Sequence, residues 1–271
     1  MKVVAVVIWF NPTSQDLKNI DSYSKRVYKT IVVDNSSSDN SALVSDKGNV
    51  EYIPLNENKG IAAALNVGYR QAAELGASWV LTMDQDSSFL EEDIKNYLNL
   101  NADHFKESGV AVFGPNFEGP ITNELIDCAS VISSGSLVNL AAHQRNSGYN
   151  EDLFVDQVDH EYCCRLKILG YRILQVSHIS MMHTIGSPLT KKIMGRVFVS
   201  YNHNADRKYY ITRNMLYMRH HFGEFGDKHL KIIFMNIVNV IFIVVDKYNK
   251  LKSMLRGCFD FFMGRMGRRR V

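Results

Sequence analysis

The chain has 271 residues, of which 46% are hydrophobic and 22% charged, and its formal net charge is +3. That length suits one large α/β domain plus an appendage; the composition excludes wholesale disorder, and the charge is too small to argue nucleic-acid binding by itself. The four cysteines, Cys128, Cys163, Cys164 and Cys258, form no C-x-x-C pair, so reduced thiols of a cytosolic protein are expected.

A first buried strand is expected over Val3–Trp9, a β-branched run. One lysine and an apolar stretch imitate a signal peptide there, but no small-residue cleavage site follows and Asn11-Pro12-Thr13 reads as a turn. Ser14 is expected to cap a short helix. A second strand over residues 29–33 ends at Asp34-Asn35-Ser36, and a third covers Val50–Pro54. Residues 59–76 read as an alanine-rich helix opened by Asn58 and closed near Gly76. A fourth strand over 79–83 ends at Asp84. Such alternation predicts a mostly parallel sheet flanked by helices, in which ligands bind beyond the carboxyl ends of the strands. The polar clusters 34–39 and 84–87 fall at those ends.

Residues 110–140 read as irregular strands with Gly and Ser turns. Helical spacing over 157–169 ends at Gly170, before a strand over 171–176. From about Thr190 onward the pattern is mostly helical. The apolar run 232–245 has 14 residues and holds Asn236 and Asn239, short of the roughly 18 needed to span a bilayer. Residues 247–271 then carry eight basic residues and one acid, Asp260. An apolar face with a basic flank is the pattern of a helix lying on a membrane surface; the competing expectation is that the run packs against protein and the tail is solvated.

Asp84 and Asp86 leave a buried strand at positions i and i+2. Two such carboxylates are costly unless neutralised, and a hard divalent cation, Mg²⁺ or Mn²⁺, completed by diphosphate oxygens, does this; the alternative is a solvated turn. Asp34 suits a base N–H or a ribose hydroxyl, or equally an Asx-turn. Asn58-Lys59-Gly60 opens a helix whose N-terminus attracts diphosphate, or is simply a cap. No G-x-x-x-x-G-K-[ST] or G-x-G-x-x-G occurs, which removes the usual support for ATPase and nicotinamide readings. Asp156, Asp159 and Glu161 cluster about a helix start, as dipole partners or as the source of a general base. His183 is either structural or a further metal ligand.

The stretches Val32-Val33-Asp34-Asn35-Ser36-Ser37, residues 56–68, and Leu81-Thr82-Met83-Asp84-Gln85-Asp86 resemble family 2 of the inverting glycosyltransferases, with the GT-A fold. So do residues 148–162 and Tyr209-Tyr210-Ile211-Thr212-Arg213-Asn214. Within that family the likeness is to bacterial rhamnosyltransferases of O-antigen and cell-wall polysaccharides. The resemblance covers about residues 3–220 and implies a GT-A catalytic domain over 1–220, with nucleotide-sugar binding in 1–105 and the acceptor and catalytic part in 106–220. Residues 221–271 form a helical basic appendage. It further implies that Asp34 binds the pyrimidine base, Asn58 and Asp84 the nucleotide, and Asp86 the metal with His183, and that Arg213 touches the diphosphate. Asp159 falls where such enzymes carry the second acid of a Glu-Asp pair, their catalytic base; Val158 replaces the first acid, which leaves Asp156 as the alternative.

The implied activity moves L-rhamnose from dTDP-L-rhamnose, or a hexose from a UDP-hexose, to a glycan or polyprenyl-linked glycan acceptor. The implied place is the cytoplasm, on the inner face of the cell membrane. No nucleic-acid partner is expected; the rival is a non-enzymatic protein that binds nucleic acid or membrane through the basic tail. A nucleotidyltransferase would need a Gly-rich triphosphate loop where Trp9-Phe10-Asn11-Pro12 stands. A glycoside hydrolase would need two carboxylates facing across a cleft.

Overall fold

A computed structural model describes residues 1–100, 109–117, 122, 124–183, 189–193, 196–200, 202–223 and 229–270, with 183, 189–193 and 196–200 described by their backbone alone. Contacts divide the chain into two compact units, Met1–Glu151 with Asp159–Thr184, and Asp152–Val158 with Ile185–Val271.

The first unit is built on an eight-stranded sheet. Its first four strands are β1 (Val3–Trp9), β2 (Lys29–Asp34), β3 (Val50–Pro54) and β4 (Trp79–Asp84). After the short β5 (Ser87–Ser88) come β6 (Val110–Asn116), β7 (Leu125–Asp127), β8 (Leu137–Asn139) and β9 (Arg172–Ser180). The order across the sheet is β3-β2-β1-β4-β8-β6-β9-β7. β1 to β4 run parallel, β8 is inserted antiparallel to both β4 and β6, and β7 pairs antiparallel with β9 at the edge. All seven residues of β1 are buried, which is why this strand reads as an unbroken apolar run rather than an alternating one.

Among the described residues this unit's helices are α1 (Ser14–Asp21), α2 (Ile61–Glu74), α3 (Glu91–Leu98), α4 (Leu140–Arg145) and, from Asp159 on, α5 (Val158–Ile168). The cap of α1 is Thr13, one residue before the expected Ser14. Thr13 and Asp16 close a reciprocal capping box, with Thr13 N donating to Asp16 Oδ2 at 2.6 Å. On α2, a Cβ at Gly68 would stand 2.3 Å from Val6 Cγ1 and 3.2 Å from Val33 Cγ2, so glycine there lets the helix seat directly on β1 and β2. A two-residue strand β10 (Met182–His183) pairs with β5, setting His183 opposite Ser87.

The second unit is mostly helical beyond Thr190, as expected, but it opens differently. The region from Thr190 onward does not start helical: β11 (Leu189–Ile193) and β12 (Arg196–Ser200) form an antiparallel hairpin, and Val197-Phe198-Val199 are strand-forming residue types. Among the described residues three helices follow, α6 (Ala205–His221), α7 (His229–Phe242) and α8 (Lys247–Phe262). A Cβ at Gly257 of α8 would meet Tyr209 O at 2.6 Å and Arg213 N at 3.3 Å, so the backbones of α8 and α6 touch there.

The apolar run beginning at Ile232 packs by one face. Ile233 joins Ile211 and Met215, while Val240 and Val244 join Met254. Full burial of a side chain such as Val240 contributes roughly 1.5–3 kcal/mol. Its other face carries Phe234, Phe242 and Val245, exposed by 63%, 56% and 66%. Among the described residues no helix is long and apolar enough to cross a membrane. All four cysteines are free thiols.

Candidate active site

Strand register sets the frame of the site. Asp34 lies opposite Trp9, and Asp84 lies opposite Ile8 on the other side of β1. Two inter-strand spacings therefore separate the two acids, roughly 10 Å, at the carboxyl ends of parallel strands. The loop after β1 is tied to both neighbours: Phe10 N donates to Gln85 Oε1 at 2.6 Å, and Asn11 N donates to Ser36 Oγ at 2.7 Å.

Asp34 is 1% exposed. Its Oδ2 accepts from the Tyr52 hydroxyl and from Asn40 Nδ2, both at 2.7 Å, and its Oδ1 accepts from Ser36 N at 3.0 Å. Three of about four lone-pair sites of the carboxylate are thus filled among the described residues, and one on Oδ1 can accept a further donor. Burial, then the hydrogen bond to Asp34, pushes the Tyr52 phenol well above its ordinary range, so it stays a donor. Neither Tyr52 nor Asn40 was foreseen from the sequence. Tyr52 pairs with Val32, two residues before Asp34, and the period-2 alternation of strands puts Tyr52 and Asp34 on one face. That pairing is a register between distant segments, which the sequence pattern alone does not carry.

Asn58 is held by the residue after Asp34. Its Oδ1 accepts from Asn35 Nδ2 at 3.2 Å and from Gly60 N at 3.0 Å, while Asn35 Oδ1 accepts from Lys59 N at 2.7 Å. Gly60, at φ +87°, opens α2 without a side-chain cap, a conformation that suits glycine. Asn58 Nδ2 keeps its donors, among the described residues, and the first-turn N–H groups of α2 face no capping side chain.

Asp84 and Asp86 follow at the end of β4, both half-buried. Asp84 N donates to Ser134 Oγ at 3.1 Å, and Ser87 Oγ donates to Asp86 Oδ1 at 3.4 Å. Tyr23, fully buried, is pushed far up by that burial and next by the negative charge of Asp84. The β5–β10 pairing brings the backbone of His183 opposite the residue after Asp86; the His183 side chain lies outside the described residues. Carboxylate oxygens here fit a hard divalent cation by donor chemistry, although no group of three or more His, Cys, Asp or Glu is gathered as a metal cage among the described residues.

The acids near α5 separate by partner. Asp156 pairs with Arg207 at 3.1 Å. Glu161, 1% exposed, takes Arg165 in a forked pair at 2.8 and 2.9 Å. Asp159 has no cationic partner among the described residues; its Oδ1 accepts only from His160 N, at 2.9 Å. It borders a small cavity with Tyr149, Tyr162, Cys163, Ser133 and Ser136, and burial pushes the Cys163 thiol and both phenols up, so those neighbours are neutral.

Arg213 stands otherwise than the resemblance implies. It is 0% exposed, and within the second unit its donors are committed. Nε donates to Asn214 Oδ1 at 2.9 Å, Nη1 to Gly267 O at 2.7 Å, and Nη2 to Asp152 O and Leu153 O at 3.1 Å. Contact with a diphosphate would cost it these acceptors. The guanidinium instead fastens the turn before α5. That turn holds Phe154, Asp156 and Gln157 at φ +64°, +62° and +66°, and each non-glycine residue so placed costs on the order of 1–2 kcal/mol.

Residues 13–125 match the family model described as Glycosyl transferase family 2. The chain is 27% identical over 284 aligned positions to the dTDP-rhamnosyl transferase RfbF of Shigella flexneri, covering 93% of this chain and 91% of that protein. Among solved structures it is similar to S. aureus TarS 1–349 in complex with UDP-GlcNAc, with TM-score 0.61, 16% identity, and coverage of 97% of this chain and 81% of that one. It is also similar to GalNAc-T7 with UDP, GalNAc and Mn²⁺, with TM-score 0.57, 12% identity, and coverage of 68% of this chain and 44% of that one. At these identities the solved structures bear on the fold alone, which is the GT-A fold.

Proposed function

We propose, on the premise that residues 13–125 are a glycosyl transferase family 2 segment, that this chain is an inverting glycosyltransferase whose donor is dTDP-L-rhamnose. The observation that carries the reading is the placement of Asp34 and Asp84 at the carboxyl ends of the strands flanking β1. The donor assignment is supported by the likeness to a dTDP-rhamnosyl transferase.

In this reading the remaining lone pair of Asp34 takes the pyrimidine N–H, and Tyr52 and Asn40 hold the carboxylate for it. Asn58 and the opening turn of α2 meet the nucleotide and its phosphates. Asp84 touches the nucleotide, and Asp86, with His183, would hold Mg²⁺ or Mn²⁺. Such a cation offsets charge on the departing nucleoside diphosphate. Asp159, the acid of its segment without a cationic partner, takes the proton of the acceptor hydroxyl as that oxygen bonds to C1 of the sugar and the C1–diphosphate bond breaks. The anomeric configuration inverts.

The acceptor is proposed to be a glycan, or a polyprenyl-linked glycan at the inner face of the cell membrane. Supporting this are the exposed Phe234, Phe242 and Val245 and, on α8, Tyr248, Leu255 and Phe262, exposed by 75%, 71% and 76%, beside Lys231, Lys247 and Lys252. Apolar side chains flanked by cations suit an anionic lipid surface.

Nucleoside diphosphate release from dTDP-L-rhamnose and from UDP-hexoses, each with and without Mg²⁺ or Mn²⁺, tests the reaction. Binding of UDP-glucose with thymidine nucleotides ignored overturns the donor. Absence of any transfer or hydrolysis, with salt-sensitive DNA retention, supports the basic-tail rival instead. Full-length protein should float with anionic liposomes, and a truncation ending near residue 228 should not; if neither floats, the lipid reading fails.

A further inference from the structure

We propose that Arg213 and Asn214 are positioning residues for the reaction: with the backbone of Gly267 they clamp the turn 152–157 in the conformation that delivers Asp159 at the start of α5. This deepens the reading of Asp159 as the base and rests on it.

The turn does not hold this shape by itself. Three of four consecutive residues, Phe154, Asp156 and Gln157, sit in the left-handed region, and none is glycine. The carbonyls of Asp152, Leu153, Val155 and Asp156 in this turn are collected by two neighbouring side chains of α6, both 0% exposed. Asn214 Nδ2 donates to Leu153 O, Val155 O and Asp156 O at 2.9, 2.7 and 2.9 Å. Arg213 covers Asp152 O and Leu153 O and orients Asn214 through its Oδ1. Gly267 closes the third side, donating N–H to Asp152 O at 2.6 Å and accepting from Arg213 Nη1 at 2.7 Å. Phe154 is stacked on Tyr210 at 5.1 Å between ring centres, which anchors the middle of the turn.

No carboxylate faces Arg213 in this set of acceptors. The guanidinium is used for its planar fan of donors, which makes four hydrogen bonds that the three donors of a lysine ammonium do not reproduce. Asp159 begins two residues after Gln157 in the chain, so a change of backbone angle in the turn is passed to the first turn of α5. A displacement of about 1 Å at a reacting group costs on the order of 10²-fold in rate.

The test is the kinetics of Asn214→Ala and Arg213→Lys, scored per folded molecule by circular dichroism, beside Asp159→Asn. The expected result is transfer kcat lower by about 10²-fold with the donor Kd within about twofold of the parent, because the clamp holds the base and not the nucleotide. Adding Gln157→Gly to Asn214→Ala should recover about tenfold, since glycine takes φ +66° without restraint. A merely structural role would lower the melting temperature and the folded fraction, leave kcat per folded molecule unchanged and show no such recovery; that outcome overturns the clamp. Should Asn214→Ala not fold, Asn214→Ser, which keeps one shorter donor, is read by the same criteria. An active Asp159→Asn, or a parent protein without transfer, strikes the reading of the base or of the function. A dead Asp159→Asn beside a fully active Asn214→Ala strikes the clamp alone.

Discussion

Replacing Asp159 and Asp156 separately by asparagine distinguishes a base from an ion-pair partner. Asp159→Asn keeps the shape of the side chain and the oxygen that accepts from His160 N, so fold and donor affinity should be unchanged. It removes the carboxylate proposed to take the acceptor's proton, and transfer kcat should fall about 10²–10⁴-fold, equivalent to roughly 3–5 kcal/mol of barrier. Asp156→Asn breaks the pair with Arg207, whose side chain is 50% exposed. Solvent screening limits that loss to about 0.2–1 kcal/mol, a melting shift of about 2–4 °C at most. The carbonyl of Asp156 still accepts from Asn214, and asparagine tolerates φ +62° well, so activity should stay within about threefold of the parent, because the substitution touches no proton acceptor in use. Initial rates of nucleoside diphosphate release at saturating substrates, with donor affinity by calorimetry, decide the matter. A dead Asp156→Asn with an active Asp159→Asn moves the base by three positions, and loss of donor affinity in Asp159→Asn would show that this carboxylate binds substrate rather than accepting a proton.

Asp86→Ala should abolish metal-dependent turnover and weaken Mn²⁺ binding followed by electron paramagnetic resonance; full activity at ordinary Mg²⁺ would remove Asp86 from the cation site. Tyr52→Phe deletes one of the two 2.7 Å donors to Asp34 Oδ2 and should weaken nucleotide binding about fivefold, near 1 kcal/mol, with kcat preserved; an unchanged Kd refutes its role. His143 is pulled down to about 4 from 6.5 by burial and then by Arg165. The unfolded chain therefore binds the extra proton between those values, and stability present above pH 6.5 is lost as pH falls towards 4, by on the order of 3 kcal/mol. Urea unfolding at pH 7 and pH 4.5 should show a smaller difference for His143→Gln than for the parent, and equal differences would contradict the assignment.

The sheet was legible because buried strands have a simple signature. Val3–Trp9 and Val50–Pro54 carry the bounds read from the sequence, and β2 and β4 each extend one residue further, to the acids that end them. What periodicity does not carry is pairing: that β8 lies between β4 and β6, or that Tyr52 shares a face with Asp34, depends on register between distant segments. The hairpin of β11 and β12 was missed because its strands are five residues each, and such short runs offer little periodicity to set against their helical neighbours. Arg213 shows a different limit. A cation in a motif invites an anion, and only the fold reveals that carbonyl oxygens already occupy its donors.

The bond between Gly267 and Asp152 also bears on the order in which the protein is made. The strands of the sheet lie within residues 3–180, so the sequence of the sheet is available early in synthesis. The turn before Asp159 must wait for Gly267, roughly a hundred residues later, and contacts of such separation are late events in folding. A nascent chain would thus complete the strands that carry Asp34 and Asp84 before it could fasten the turn that precedes Asp159.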